Sequence, residues 1–225
     1  MKLPKSYDNP HGNYPEMVGK PKLSYSAYTA FKEQGYRGEF FGNYFLGIRG
    51  DGNIFTTYGS GCGKYFEDKT DTGVISDFDK EVLDKIERPV DARYEVEVVI
   101  DRDTYCIQGY VDIEYDTSEG LVLKDLKTGA ISSKEVFYAS ELYQQTTLYA
   151  YKREQEGKKI ADSGVILADR KGNGNPAHPL RLTGQIKYIP TPYSTERAEL
   201  FLKDFDKTAA EIEKYYLVYL KYFTK

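Results

Sequence analysis

Residues 105–115 and 121–128 alternate apolar with polar positions and carry β-branched residues, which predicts two strands. The cluster Asp116-Thr117-Ser118-Glu119-Gly120 between them supplies the turn of a hairpin. Arg93–Asp101 predicts an earlier strand, with Tyr94, Val96, Val98 and Ile100 on one face and Glu95 and Glu97 on the other. Ile160–Asp169 and Leu182–Ile189 predict two more. Helical spacing appears from Leu23-Ser24-Tyr25-Ser26 onward, with Ser24 or Ser26 as N-cap, and again over residues 76–88. Residues 134–156 read as one long helix with Tyr138, Leu142, Leu148 and Tyr149 among its apolar positions. A long C-terminal helix is expected over Ser194–Phe223, with Tyr215, Tyr216, Tyr219, Tyr222 and Phe223 as a packing stripe. Helix, three strands, helix and strand in that order predict an α/β sandwich with a mixed sheet.

Residues 1–22, rich in Pro, Gly, Asn and Lys, read as an extended or disordered arm, and residues 36–58 are Gly- and aromatic-rich without a clear assignment. No linker, repeat or low-complexity run divides the rest, so residues 23–225 are expected to form a single domain. No apolar stretch approaches the ~20 residues that span a bilayer, and the first residues lack an apolar signal core. A cytoplasmic protein with no membrane partner is the expectation. Two cysteines, Cys62 and Cys106, and two histidines, His11 and His178 in loop sequence, leave little for disulfides or for serine- and cysteine-based triads. The net charge of −4 argues against coating nucleic acid by bulk electrostatics but leaves room for a local basic groove.

The polar residues of the hairpin carry the chemistry. Asp125 and Lys127 are two apart on a strand and share a face. A hairpin register whose paired residue numbers sum near 237 places Asp112 opposite Asp125, facing the same way. Two adjacent carboxylates repel and raise each other's pKa unless a cation sits between them. With oxygen donors and no cysteine or histidine nearby, Mg²⁺ or Mn²⁺ suits that position.

Gly109-Tyr110-Val111-Asp112, then Asp125-Leu126-Lys127-Thr128, then Gln145 and Tyr149 at Gln-x-x-x-Tyr spacing, form an ordered set. It resembles the nuclease core of the PD-(D/E)XK superfamily, and the Gln-x-x-x-Tyr pair resembles its RecB-like exonuclease branch, over about residues 23–170. The resemblance implies a restriction-endonuclease-like αβββαβ core and a Mg²⁺-dependent deoxyribonuclease, of exonuclease type, with Mn²⁺ able to substitute. It implies that Asp112, Asp125 and the main-chain carbonyl of Leu126 hold the metal. Lys127, its pKa depressed beside the cation, would orient or deprotonate the attacking water. Gln145 and Tyr149 would brace the metal shell and fix the DNA backbone. Family members carry Gly, His and Glu at four-residue intervals on a helix; here these are Gly59, Gly63 and Glu67, so the imidazole is absent and Glu67 would contact metal through water or at a second site. A glutamate at the position of Glu95 or Glu97 is also common in the family, although a solvated strand face explains both. Two cysteines cannot build the four-cysteine iron–sulfur site that some relatives carry.

Stand-alone proteins of this appearance are common in bacteriophages, acting on single- or double-stranded DNA ends in recombination, repair or replication. The resemblance therefore allows a recombination or replication protein as partner, a homo-oligomer like the toroidal exonucleases, and a host-cytoplasmic location. The alternative is a catalytically inactive nuclease-fold protein that binds DNA or serves assembly, which Gly63 favours. A regulatory or sugar-binding α/β domain would explain the alternation but not the ordered motifs.

Overall fold

The computed structural model describes residues 20–35, 40, 44, 45 and 53–223. Along the chain come β1 (Lys22–Ser24), α1 (Tyr25–Gln34), α2 (Ile54–Asp68), α3 (Asp77–Leu83), β2 (Arg93–Asp101), β3 (Cys106–Thr117) and β4 (Gly120–Gly129). After these come α4 (Ile131–Ala139), α5 (Gln145–Gln155), β5 (Ile160–Lys171), β6 (Arg181–Pro190) and α6 (Thr195–Phe223). Six strands form one mixed sheet in the order β1-β3-β4-β5-β6, with β2 also paired to β3. Helices flank it and a long helix closes the chain, as the hydrophobic pattern leads one to expect. The arm expected over residues 1–22 lies, as far as residue 19, outside the described residues, and so does most of the 36–58 stretch. Among the described residues no helix is long and apolar enough to cross a membrane.

The chain divides into two compact units. One comprises Met1–Asp51, Val98–Gly109 and Glu199–Lys225. Within it β1 runs parallel to the start of β3, and the Ser24 side chain caps α1 by accepting from the Ala27 N–H at 3.1 Å. Tyr28 of α1 stacks on Phe205 of α6, ring centroids 4.7 Å apart, and its hydroxyl donates to Asp204 at 2.5 Å. Asp206 accepts from Arg102 Nε at 3.0 Å and from the Tyr105 hydroxyl at 2.8 Å. Its aromatic and ionic residues answer one another.

The second unit comprises Gly52–Glu97 and Tyr110–Ala198 and contains every residue singled out for chemistry. Its hairpin has the expected register, Ile113 opposite Lys124 and Thr117 opposite Gly120. Gly120 turns into β4 at φ +140°, where an added Cβ would come within 2.5 Å of the Lys159 carbonyl oxygen. Strand β4 pairs in parallel with β5, and β5 antiparallel with β6. Val165, Ile166, Leu167 and Ala168 are all buried, the unbroken apolar run of an interior strand. The core joins Cys62 and Phe66 of α2 and Val82 and Leu83 of α3 to Ile113, Leu126, Ile166 and Leu182 of the sheet. Helix α3 starts with a capping box in which Ser76 and Asp79 satisfy each other's backbone N–H groups.

One local expectation needs correction. The long helix expected over 134–156 is two helices separated by residues 140–144. The Ser140 hydroxyl donates back to the Phe137 carbonyl at 2.7 Å, and the guanidinium of Arg197 donates to the carbonyls of Ser140 at 3.3 Å and Tyr143 at 3.2 Å. Those contacts satisfy backbone groups that a continuous helix would have used. Leu142, one of the apolar positions of the expected helix, falls in the break and is 75% exposed. Strand β2 has the expected bounds and faces, with one irregularity: Glu95 has φ +50°, rare for a residue with a side chain.

Candidate active site

Helix α2 is capped by Asn53, whose side chain accepts from the Thr56 N–H at 2.9 Å. It carries Gly59, Gly63 and Glu67 at four-residue intervals, which stacks them on one face. All three line a cleft of about 630 Å³, together with Glu95 of β2, Asp112 of β3, and Leu126 and Lys127 of β4. The glycines keep this wall thin: a Cβ at Gly63 would stand 3.4 Å from Glu67 Oε1.

Carboxylate oxygens of Glu67, Glu95 and Asp112 lie within 4.8 Å of one another. Burial, a hydrogen bond with Glu95, and the charges of Glu95 and Asp112 push the Glu67 carboxyl up to about 8. Burial and the charge of Asp125 raise Asp112 well above the ordinary carboxylate range, although Lys127 and the Leu126 N–H, which donates to Asp112 at 2.6 Å, oppose the shift. Three convergent oxygen donors with a surplus of negative charge form a set that a hard divalent ion would relieve. The donor chemistry therefore fits Mg²⁺ or Mn²⁺, and nothing in it selects between them.

Asp125 has a different situation. It is completely buried and does not line the cleft. One oxygen accepts from the Tyr143 hydroxyl at 2.8 Å, the other from Gln145 Nε2 at 3.2 Å, and the carboxylate is ion-paired with Lys127. Gln145 Nε2 also donates to the Tyr149 hydroxyl at 2.9 Å. Gln145 and Tyr149 thus meet as their spacing indicates, but neither lines the cleft, and Tyr149 is buried. Gln145 touches Asp125 directly, and Tyr149 reaches it only through Gln145. Burial alone would favour a neutral Lys127, but the charges of Asp125 and Asp112 outweigh it and leave the amine above the ordinary lysine range. The carboxylates that face the amine set that direction.

One contributor escaped the sequence reading and another was left open by it. Glu95, for which a family glutamate and a solvated strand face were equal accounts, lies on the exposed face of β2 and lines the cleft. Tyr143 could not be paired with Gln145 on a continuous helix, where residues two apart point to different sides. The break at 140–144 lets both reach Asp125.

A mixed sheet flanked by helices, with a carboxylate-lined cleft beside a lysine, is an architecture suited to metal-assisted chemistry. No family model matches the chain, and no curated protein matches it. Among solved structures the chain is similar to the crystal structure of a "putative exonuclease" from Eubacterium rectale, with 16% identity and a TM-score of 0.55. The likeness covers 92% of this chain and 85% of that one. At that identity it is a likeness of fold.

Proposed function

We propose that this protein is a divalent-metal-dependent deoxyribonuclease of the PD-(D/E)XK superfamily, RecB-like branch, acting as an exonuclease on DNA ends. The observation that carries the reading is the convergence of Glu67, Glu95 and Asp112 in the cleft that Lys127 also lines. The exonuclease name of the fold neighbour supports the reaction class, and the extent of the likeness supports treating residues 23–225 as one nuclease-like domain.

Asp112, Glu67 and Glu95 would hold Mg²⁺, with Mn²⁺ as substitute, and Leu126, whose main-chain carbonyl the family resemblance implies as a ligand, also lines the cleft. The bound ion would supply Lewis acidity at the phosphoryl oxygens and acidify a water. Lys127 directs a positive, hydrogen-bonding ammonium into the cleft, where it orients the attacking water and offsets charge growing on the phosphate. Asp125 fixes that ammonium through one oxygen; its other oxygen accepts a hydrogen bond from Gln145 and keeps a lone pair that could join the metal shell. Tyr143, Gln145 and Tyr149 hold Asp125 in place, so they act through it and not on the DNA.

A second reading, a nuclease-fold protein without catalysis, has a specific observation in its favour: Gly63 lines the cleft where the family pattern has a histidine. Digestion of 5′- and 3′-end-labelled single- and double-stranded DNA with Mg²⁺ or Mn²⁺, against an EDTA control, separates the two. Metal-dependent release of nucleotides from an end is the expected result. Binding of DNA without cleavage under any metal would leave the second reading standing.

A further inference from the structure

Several basic side chains of the second unit are answered by acids: Lys80 pairs with Asp71 at 2.7 Å, Arg153 with Glu114 at 2.8 Å, and Lys187 with Glu135 at 2.6 Å. Two that line the cleft are not. Arg170, near the end of β5, and Lys134, on α4, both line the cleft, and neither is ion-paired with a carboxylate among the described residues. Arg170 is only partly exposed, and burial pulls its pKa below the ordinary arginine range. Its guanidinium lies over the ring of Phe55, 4.7 Å from the centroid, a contact that fixes its plane at the cleft wall. A partly desolvated guanidinium without a counter-ion is costly to keep, and a planar fork of donors matches phosphate oxygens. The acids in the same cleft, Glu67, Glu95 and Asp112, are the ones assigned above to a metal.

We propose that Arg170, oriented by Phe55, and Lys134 form an anion seat for a second phosphate of the substrate strand, setting its register while the scissile phosphate meets the metal-binding carboxylates. The inference rests on the nuclease reading and adds to it the side chains that bind the backbone. A phosphate contact of this kind carries no base information, so strand capture should be independent of sequence.

The test is steady-state digestion of an end-labelled single-stranded oligonucleotide in Mn²⁺, over salt from about 50 to 200 mM, the range in which counterion release is legible. Arg170→Gln and Lys134→Gln are compared with wild type and with Lys171→Gln, an exposed neighbour that does not line this cleft. Each cleft variant should raise KM roughly tenfold or more, as expected for a lost charge-assisted hydrogen bond. Each should also lower the slope of log(kcat/KM) against log salt by about one, with kcat far less affected. Lys171→Gln should match wild type. Arg170→Lys, which keeps charge without the fork, should fall between. Wild-type KM and salt slope in both cleft variants overturn the seat while leaving the nuclease reading intact, and so does a loss confined to kcat. If the wild-type protein cleaves no DNA, the nuclease reading falls and the seat with it. If Arg170→Gln does not melt cooperatively, Lys134→Gln, on an exposed position, decides the matter.

Discussion

Asp112 and Glu114 stand two residues apart on β3, yet the protein treats them in opposite ways. Glu114 is buried and ion-paired with Arg93 at 3.1 Å and Arg153 at 2.8 Å. Asp112 is met instead by Glu67 and Glu95, and Lys127 is drawn mainly to Asp125. A fold that needed only to bury a carboxylate would have supplied cations, as it does at Glu114. The unanswered trio repels itself, and such repulsion is kept where something else brings positive charge. One acid is thus spent on architecture and its neighbour is left available.

The largest effect expected concerns Lys127. Replacing it with alanine should lower DNA hydrolysis by about 10²–10⁴-fold, the range for a positioned proton-transfer group, while gel-shift binding of DNA stays close to wild type. Unchanged cleavage would refute its role. The contrast between the two acids comes next. Glu114→Ala strands two arginines, one of them largely buried, and should cost about 3 kcal/mol of stability, read by denaturant unfolding. Asp112→Asn should do the reverse in metal-free protein, raising stability by up to about 1 kcal/mol because it relieves repulsion. Destabilisation of similar size by both would erase the distinction.

A smaller effect lies in pH dependence. The Glu67 pKa of about 8 is raised above its unfolded value, so the folded protein holds the extra proton between roughly pH 4 and 8. In that window the unfolded chain binds fewer protons, and metal-free stability should decline as pH rises through it. Metal must displace the same proton, so apparent Mn²⁺ affinity should increase from pH 6 toward 8. Glu67→Gln should flatten both trends, which thermal melts at several pH values would reveal.

Much of this was legible in the chain because it depends on local periodicity. The hairpin register, the Ser24 cap and the Gly59–Gly63–Glu67 face follow from spacing that the backbone then obeys. The rest depends on contacts distant in sequence. Residues 134–156 have the composition of one helix, and only Asp125, reached by Tyr143 and Gln145 together, and Arg197, bridging the freed carbonyls, explain the break. Glu95 and Glu97 share the polar face that alternation predicts, and only contacts distant in sequence select Glu95 to meet Glu67 and Asp112. Asp125 was legible as an acid beside Lys127 but not as one held by Tyr143, Gln145 and Lys127 together, since enclosure needs a third dimension.

Glu67, Glu95 and Asp112 are together expected to receive one divalent ion, which calorimetric titration of Mn²⁺ into wild type, Glu67→Gln, Glu95→Gln and Asp112→Asn would reveal. A single Mn²⁺ bound by wild type and weakened in each of the three variants is the expected result. Wild-type protein that takes up no Mn²⁺, or uptake that none of the three substitutions alters, would contradict it.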